Sequence, residues 1–65
     1  MNKTESIISD ISEIIEKTNF NREFNDIKKY GDAQKIFLWV ERKLRNGDLP
    51  HELKPLLTDL YFMIH

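Results

Sequence analysis

Apolar residues near the start of the chain recur at helical spacing and lack the strict alternation of a strand. They are separated by steps of one, three or four residues, and polar residues occupy the other side: Ile7, Ile8, Ile11, Ile14 and Ile15. Because an α-helix turns about 100° per residue, these positions form one narrow stripe. The pattern predicts an amphipathic helix over about residues 4–17, which begins either with an Asn2–Glu5 capping box or with Thr4 as the cap.

A second, shorter helix is predicted after the polar break at Thr18 and Asn19. Asn21 is a favourable capping residue for a helix over about residues 22–30. Phe24 and Ile27 are one turn apart and would face inward. Phe20 precedes the predicted cap, where a hydrophobic staple is expected.

Gly31 and Asp32 separate the second predicted helix from a third. Gly31 predicts a left-handed end for the second helix, and Asp32 predicts the cap of a helix over about residues 33–46. Gly47 then ends the third helix, which has cations in its last turns, where the helix dipole favours them.

Two prolines complicate the last segment. Pro50 suits the first position of a helix, whereas Pro55 disfavours the helical conformation at the preceding residue. We therefore expect a turn at about residues 50–54 and a helix over about residues 55–64, or alternatively one continuous helix kinked at Pro55. The inward positions predicted for this segment are Leu53, Leu56, Leu57, Leu60, Met63 and Ile64.

These patterns together predict an all-α fold, a compact bundle of three to four short helices in a single domain that covers residues 1–65. The chain has no cysteine, so apolar burial must hold the fold together without disulfides. The absence of cysteine also fits a reducing cytosol, and we expect a cytoplasmic protein. The start of the chain lacks a signal-peptide core, and its longest apolar runs fall far short of the roughly 20 residues that span a membrane.

The third predicted helix has large apolar residues outside its core face. That face comprises Ala33, Ile36, Phe37, Val40 and Leu44. Leu38 and Trp39 lie outside it, beside Lys35 and Arg42, and Phe62 lies on the far side of the last helix. Because tryptophan and arginine dominate interface hot spots, these five residues are predicted to form a protein-binding patch.

The same pattern has a second interpretation. A helix in the middle of the bundle is covered on two sides, so Leu38 and Trp39 would be additional core residues. The two interpretations hold together if the covering chain is a second copy of the protein, which makes a homodimeric structural or adaptor protein an alternative function.

Catalytic and metal-binding motifs are missing from the sequence. His51 and Glu52 are adjacent, but no HExxH or related ligand spacing accompanies them. Serines lack a histidine at a fixed spacing, and a chain this short offers little room for a ligand pocket of about 300 Å³ or more. We therefore expect no enzymatic activity, no cofactor and no metal.

Charge gives limited support to a nucleic-acid-associated regulator. The chain has 10 basic and 11 acidic residues, for a net charge of −1, whereas nucleic-acid binders usually carry a strong positive excess. The central part is nevertheless basic, and Tyr30 and Trp39 interleave with its cations: Lys28, Lys29, Lys35, Arg42, Lys43 and Arg45. Nucleic-acid binding is therefore an alternative hypothesis. The leading hypothesis is a non-enzymatic regulator, inhibitor or immunity-type protein that occludes a partner protein.

Overall fold

In a computed structural model, which describes residues 3–65, the chain folds into four α-helices joined by short connections. The helices are α1 (Lys3–Ile15), α2 (Asn21–Tyr30), α3 (Ala33–Arg45) and α4 (Leu53–Ile64). No strand occurs within the described range. The structure thereby confirms the predicted small all-α bundle.

Helix α1 ends two residues earlier than the predicted boundary, because Thr18 replaces a further helical turn with side-chain hydrogen bonds. The Thr18 hydroxyl donates to the Ile15 carbonyl oxygen at 2.7 Å and accepts from the Phe20 N–H at 3.1 Å. Threonine hydroxyls compete in this way with the helical hydrogen bonds of the backbone. Thr4 lies inside α1 and is not its cap, and Asn2 lies outside the described residues.

The start of α2 differs from its prediction by one position. Asn21 is the first helical residue, and Phe20 occupies the cap position without a side-chain hydrogen bond. Phe20 is therefore not a staple residue preceding a polar cap. Its ring packs instead against Trp39 of α3, so tertiary packing places this aromatic residue at the helix start.

Gly31 does not adopt the predicted left-handed conformation, since its φ and ψ are −107° and 169°. A Cβ at this position would lie only 2.8 Å from the Ile27 carbonyl oxygen. The close approach of the Ile27 carbonyl group therefore explains why a residue without a Cβ occupies position 31. Asp32 caps α3 as predicted, with its carboxylate accepting from the Lys35 N–H at 3.0 Å, and Gly47 follows α3 with a φ of 78°.

Helix α4 begins at Leu53, two residues before the predicted start. Pro55 is its third residue, and a proline is tolerated in a first helical turn because N–H groups there have no intrahelical acceptor. The expected exclusion of Lys54 from the helix is therefore wrong. The preceding turn is closed by the Lys54 N–H, which donates to the His51 carbonyl oxygen at 2.9 Å.

The core lies where α1 and α3 pack against α4, and α2 covers a second side of α3. Its fully buried side chains come from all four helices: Ile11, Ile15, Phe24, Val40, Leu53 and Leu60. Met63, predicted to face inward, is instead 42% exposed. It lies in the last turn of α4 and lines a surface groove with Ser6 of α1, so it is only partly covered.

The described helices are also too short and too polar to cross a lipid bilayer.

Candidate functional site

Trp39 lies in the seam between α2 and α3, only 8% exposed. The centroid of its ring is 5.5 Å from that of Phe24 and 6.3 Å from that of Phe20, which contacts it edge-on. Helix α2 thus covers the side of α3 that the helical pattern left outside the core face. For Trp39 the interpretation as an additional core residue is confirmed.

A polar contact fixes the orientation of the Trp39 indole. Its Nε1–H donates to Glu23 Oε2 at 2.7 Å, and Lys43 Nζ is 3.8 Å from the same oxygen. The Lys43 ammonium also lies 4.6 Å from the centroid of the Phe20 ring. Glu23 belongs to no motif in the sequence. The available signal was that a buried indole N–H needs an acceptor, but the acceptor is 16 positions away in the chain.

An open cleft of about 430 Å³ lies beside this seam, between α2 and α3. Its apolar lining consists of Ile27 and Tyr30 from α2 and of Leu38 and Trp39 from α3. Tyr30 is 77% exposed and Leu38 is 46% exposed, so Leu38 is not the core residue that the second interpretation required. The cleft combines one rigid aromatic residue with two accessible apolar side chains.

The charged lining of the cleft is mainly cationic. Lys35 and Arg42 of α3 line it together with one carboxylate, Asp26 of α2. Within residues 3–65, neither of the two cations forms a salt bridge. Arg42 follows Lys35 by seven positions, so the two side chains project from the same side of α3 about 10.5 Å apart along its axis.

Phe62 is the one predicted patch residue that the structure places elsewhere. It is 68% exposed on α4, where it lines a groove with Lys3 and Ser6 of α1. Its ring contacts Tyr61, at 5.7 Å between centroids. The structure therefore brings Lys35, Leu38, Trp39 and Arg42 together at the cleft and leaves Phe62 outside it. A helical wheel assigns each residue to a side of its own helix but does not show which sides meet.

A second open groove, of about 460 Å³, has the opposite charge. It follows α1 and carries one cation, Lys28, among four carboxylates: Glu5, Glu13, Glu16 and Asp32. The two grooves exceed the volume expected for so short a chain, so that expectation was wrong. Both are open to solvent and lie between helices at the surface.

The basic residues of the central segment do not form a single face. Lys28 Nζ donates to the Ser12 hydroxyl of α1 at 3.0 Å, Lys43 pairs with Glu23, and Arg45 lies 3.6 Å from Glu41. Residues 3–65 also contain no group of three or more His, Asp or Glu side chains placed to hold a metal ion. The α2–α3 cleft, which brings together four of the five predicted patch residues, is therefore the candidate site.

Comparisons with known proteins do not assign a function to this site. No protein-family model, curated protein sequence or solved structure matches the chain. The functional interpretation therefore depends on the geometry and chemistry of the cleft.

Proposed function

We propose that this chain is a small, non-enzymatic protein-interaction module that binds and occludes a partner protein through the α2–α3 cleft. It would act as a regulator, inhibitor or immunity-type protein, whose effect comes from covering a partner's surface. The observation that carries the proposal is that Tyr30 and Leu38 are exposed on an apolar cleft. The core is built from other residues, so packing within the fold does not account for these two side chains. Exposed apolar side chains grouped in this way are typical of interaction sites.

The composition of the cleft supports recognition of a protein surface. Aromatic residues and arginine are enriched at interfaces, and Tyr30, Trp39 and Arg42 supply them here. Trp39 is already held by its hydrogen bond to Glu23 and by two neighbouring rings. Because this nearly buried ring forms a fixed wall behind the exposed Tyr30 and Leu38, little side-chain freedom would be lost there on binding.

The same lining favours binding over catalysis. Nucleophilic catalysis needs an activated nucleophile beside a base, and acid–base chemistry needs a positioned proton donor or acceptor. The cleft is lined by no serine, threonine or histidine, and its carboxylate is Asp26 alone. Asp26, Tyr30 and Lys35 can each exchange a proton, but no ion pair joins Asp26 to Lys35, and the described cleft holds no linked nucleophile and base.

The nucleic-acid hypothesis has weaker support. Phosphate binding draws its affinity from several cations that contact one backbone together. Here Lys28 is directed to α1, and Lys43 and Arg45 have carboxylate partners. Lys29, Lys35 and Arg42 remain, and three cations around one cleft suit a local contact with a protein better than an extended phosphate track.

The proposal is tested by comparative partner capture. Immobilised wild-type protein is compared with a Tyr30→Ala/Leu38→Ala variant and with a Phe62→Ala/Met63→Ala control, which removes exposed apolar area outside the cleft. A captured protein is then purified, and its Kd is measured against all three baits. We expect the cleft variant to weaken binding at least about tenfold, as loss of two anchor residues would, and the control to bind like wild type.

The reverse result, with binding lost only in the α4 control, would overturn the proposal. Sedimentation of the wild-type protein over a concentration series accompanies the capture. Self-association that Tyr30→Ala/Leu38→Ala abolishes would identify a second copy as the occupant, in favour of the homodimer alternative.

A further inference from the structure

The charged and apolar residues of the cleft lie in a regular order along α3. Lys35, Leu38 and Arg42 are separated by three and four residues, so they form one line along the helix. Leu38 therefore stands between two cations that are about 10.5 Å apart along the axis. All three side chains are exposed at the cleft, and neither cation has a salt-bridge partner within residues 3–65.

We infer that the cleft receives an acidic amphipathic helix of the partner protein, an inference that rests on the proposed function. That helix carries one apolar side chain between two carboxylates seven residues apart. The apolar side chain packs on Leu38 and Trp39, and the carboxylates pair with Lys35 and Arg42. Helices bind to grooves through anchor residues at this kind of spacing.

The spacing of the two cations selects a helix over an extended segment. A partner helix that runs along α3 repeats the distance of about 10.5 Å at every seventh residue, on a single face. A strand rises about 3.3 Å per residue, so three residues cover that distance. Side chains three positions apart in a strand point to opposite faces, and both carboxylates could not meet α3.

The charge distribution favours this cleft over the other groove. The α1 groove is lined by four carboxylates and Lys28, so an acidic helix would be repelled there. On the α2–α3 cleft the one carboxylate is Asp26, across the cleft from the cations of α3. Lys29 adds a cation near the α2 rim, where its Nζ lies 5.4 Å from the centroid of the Tyr30 ring. The charges therefore favour binding of an acidic helix at the α2–α3 cleft over the α1 groove, and within the cleft they favour the side formed by α3.

The test uses synthetic peptides locked as helices by a side-chain lactam and lacking tryptophan. One peptide has a leucine between two glutamates seven residues apart, a second has lysines in place of those glutamates, and a third has one glutamate moved by two positions. Trp39 is the only tryptophan of the chain and lines the cleft, so its fluorescence reports binding. Titrations are made at low ionic strength, because exposed ion pairs are screened by salt.

We expect the glutamate peptide to bind at least about tenfold more tightly than the lysine peptide, since each exposed pair contributes about two- to fivefold and reversal adds repulsion. Moving one glutamate by two positions would remove one pair and weaken binding about two- to fivefold. A Lys35→Glu/Arg42→Glu variant would reverse the preference. A Lys17→Glu/Lys54→Glu control makes the same change in net charge outside the cleft and would retain it.

Several outcomes would overturn the inference. Equal binding of the glutamate and lysine peptides, abolished by Leu38→Ala, would show an apolar site without charge selection and would leave the proposed function standing. If the Lys17→Glu/Lys54→Glu control also lost its preference for the glutamate peptide, that preference would be an effect of net charge and not of the cleft. Absence of peptide binding would reject the acidic helix, while partner capture still decides the proposed function.

A short DNA duplex is titrated as a further arm. DNA binding that depends on Lys35 and Arg42, with no binding of the glutamate peptide, would overturn the inference in favour of a nucleic-acid site. Circular dichroism of the charge-reversal variant is expected to match wild type, because both substituted side chains are exposed.

Discussion

The two halves of the bundle are held together by different chemistry. The buried side chains that α1 and α4 contribute to the core are all aliphatic: Ile7, Ile11, Ile15, Leu53 and Leu60. Between α2 and α3 the buried contact is aromatic, Phe24 against Trp39, and the Trp39 indole also donates a hydrogen bond to Glu23 beside Lys43. One half therefore depends on apolar burial alone, whereas the other adds hydrogen bonding and a cation over aromatic rings.

This difference shows how a very small domain divides its apolar residues between core and surface. A 65-residue chain has little apolar surface to spare, since a domain of this size buries only about 60% of what the unfolded chain exposes. The α1–α4 half places its isoleucine and leucine residues mainly in the core, and its exposed apolar residues, Tyr61, Phe62 and Met63, lie in the last turns of α4. The α2–α3 half nevertheless leaves Tyr30 and Leu38 exposed at a cleft. That exposure is the feature that the proposed function explains.

The aliphatic half is tested most severely by Ile11→Ala. Ile11 has no solvent exposure, and truncating a fully buried isoleucine costs about 2–5 kcal/mol of unfolding free energy through lost burial and the cavity left behind. We expect this variant to lose a large part of its stability and to unfold at a much lower urea concentration than wild type, because small domains have only about 5 kcal/mol or slightly more in total. Urea unfolding followed by circular dichroism measures the change. Ile14→Ala, at a partly exposed position of the same helix, is the matched control and should lose less. An unchanged midpoint for Ile11→Ala would contradict its place in the core.

Features of the fold that depend on local sequence patterns were predicted correctly, whereas features that depend on tertiary contacts were not. The isoleucine stripe of α1, the Asp32 cap and the Gly47 stop are local patterns, and the structure confirms them. Gly31 was misinterpreted because a glycine after a helix can serve either a positive φ or a close backbone approach, and only the tertiary structure separates the two. Pro55 was predicted to begin the last helix but is its third residue, because a proline can either stop a helix or occupy its first turn.

The candidate site was harder to predict because it depends on contacts distant in the chain. Periodicity identified Leu38 and Trp39 as lying off the core face, which is correct for α3 considered alone. Their different outcomes follow from the position of α2, which covers Trp39 and leaves Leu38 at the cleft. Phe62 was grouped with them from the same off-stripe signal, although α4 places it on another surface.

The aromatic seam is tested by Trp39→Phe, which removes the indole N–H and part of the ring. We expect a loss of about 1–3 kcal/mol, from the hydrogen bond to Glu23 and from reduced packing on Phe20 and Phe24. A double-mutant cycle with Glu23→Ala isolates the coupling, expected at about 0.5–1 kcal/mol because Glu23 is half-exposed. Chemical denaturation followed by far-ultraviolet circular dichroism avoids dependence on Trp39 fluorescence. A coupling of zero would show that the hydrogen bond orients the indole without stabilising the fold.

The smallest effect on stability is expected from Leu38→Ala. This variant distinguishes a residue needed for binding from a residue needed for folding. Leu38 is partly exposed on α3 and is replaced by a residue of equal or better helix propensity, so the unfolding free energy should change by no more than about 0.5 kcal/mol. Affinity for the glutamate peptide should nevertheless fall at least about tenfold, because the apolar anchor between Lys35 and Arg42 is lost. Thermal unfolding and peptide titration of the same sample measure both quantities. A destabilisation comparable to that of Ile11→Ala would instead place Leu38 in the core and remove the main support for a binding cleft.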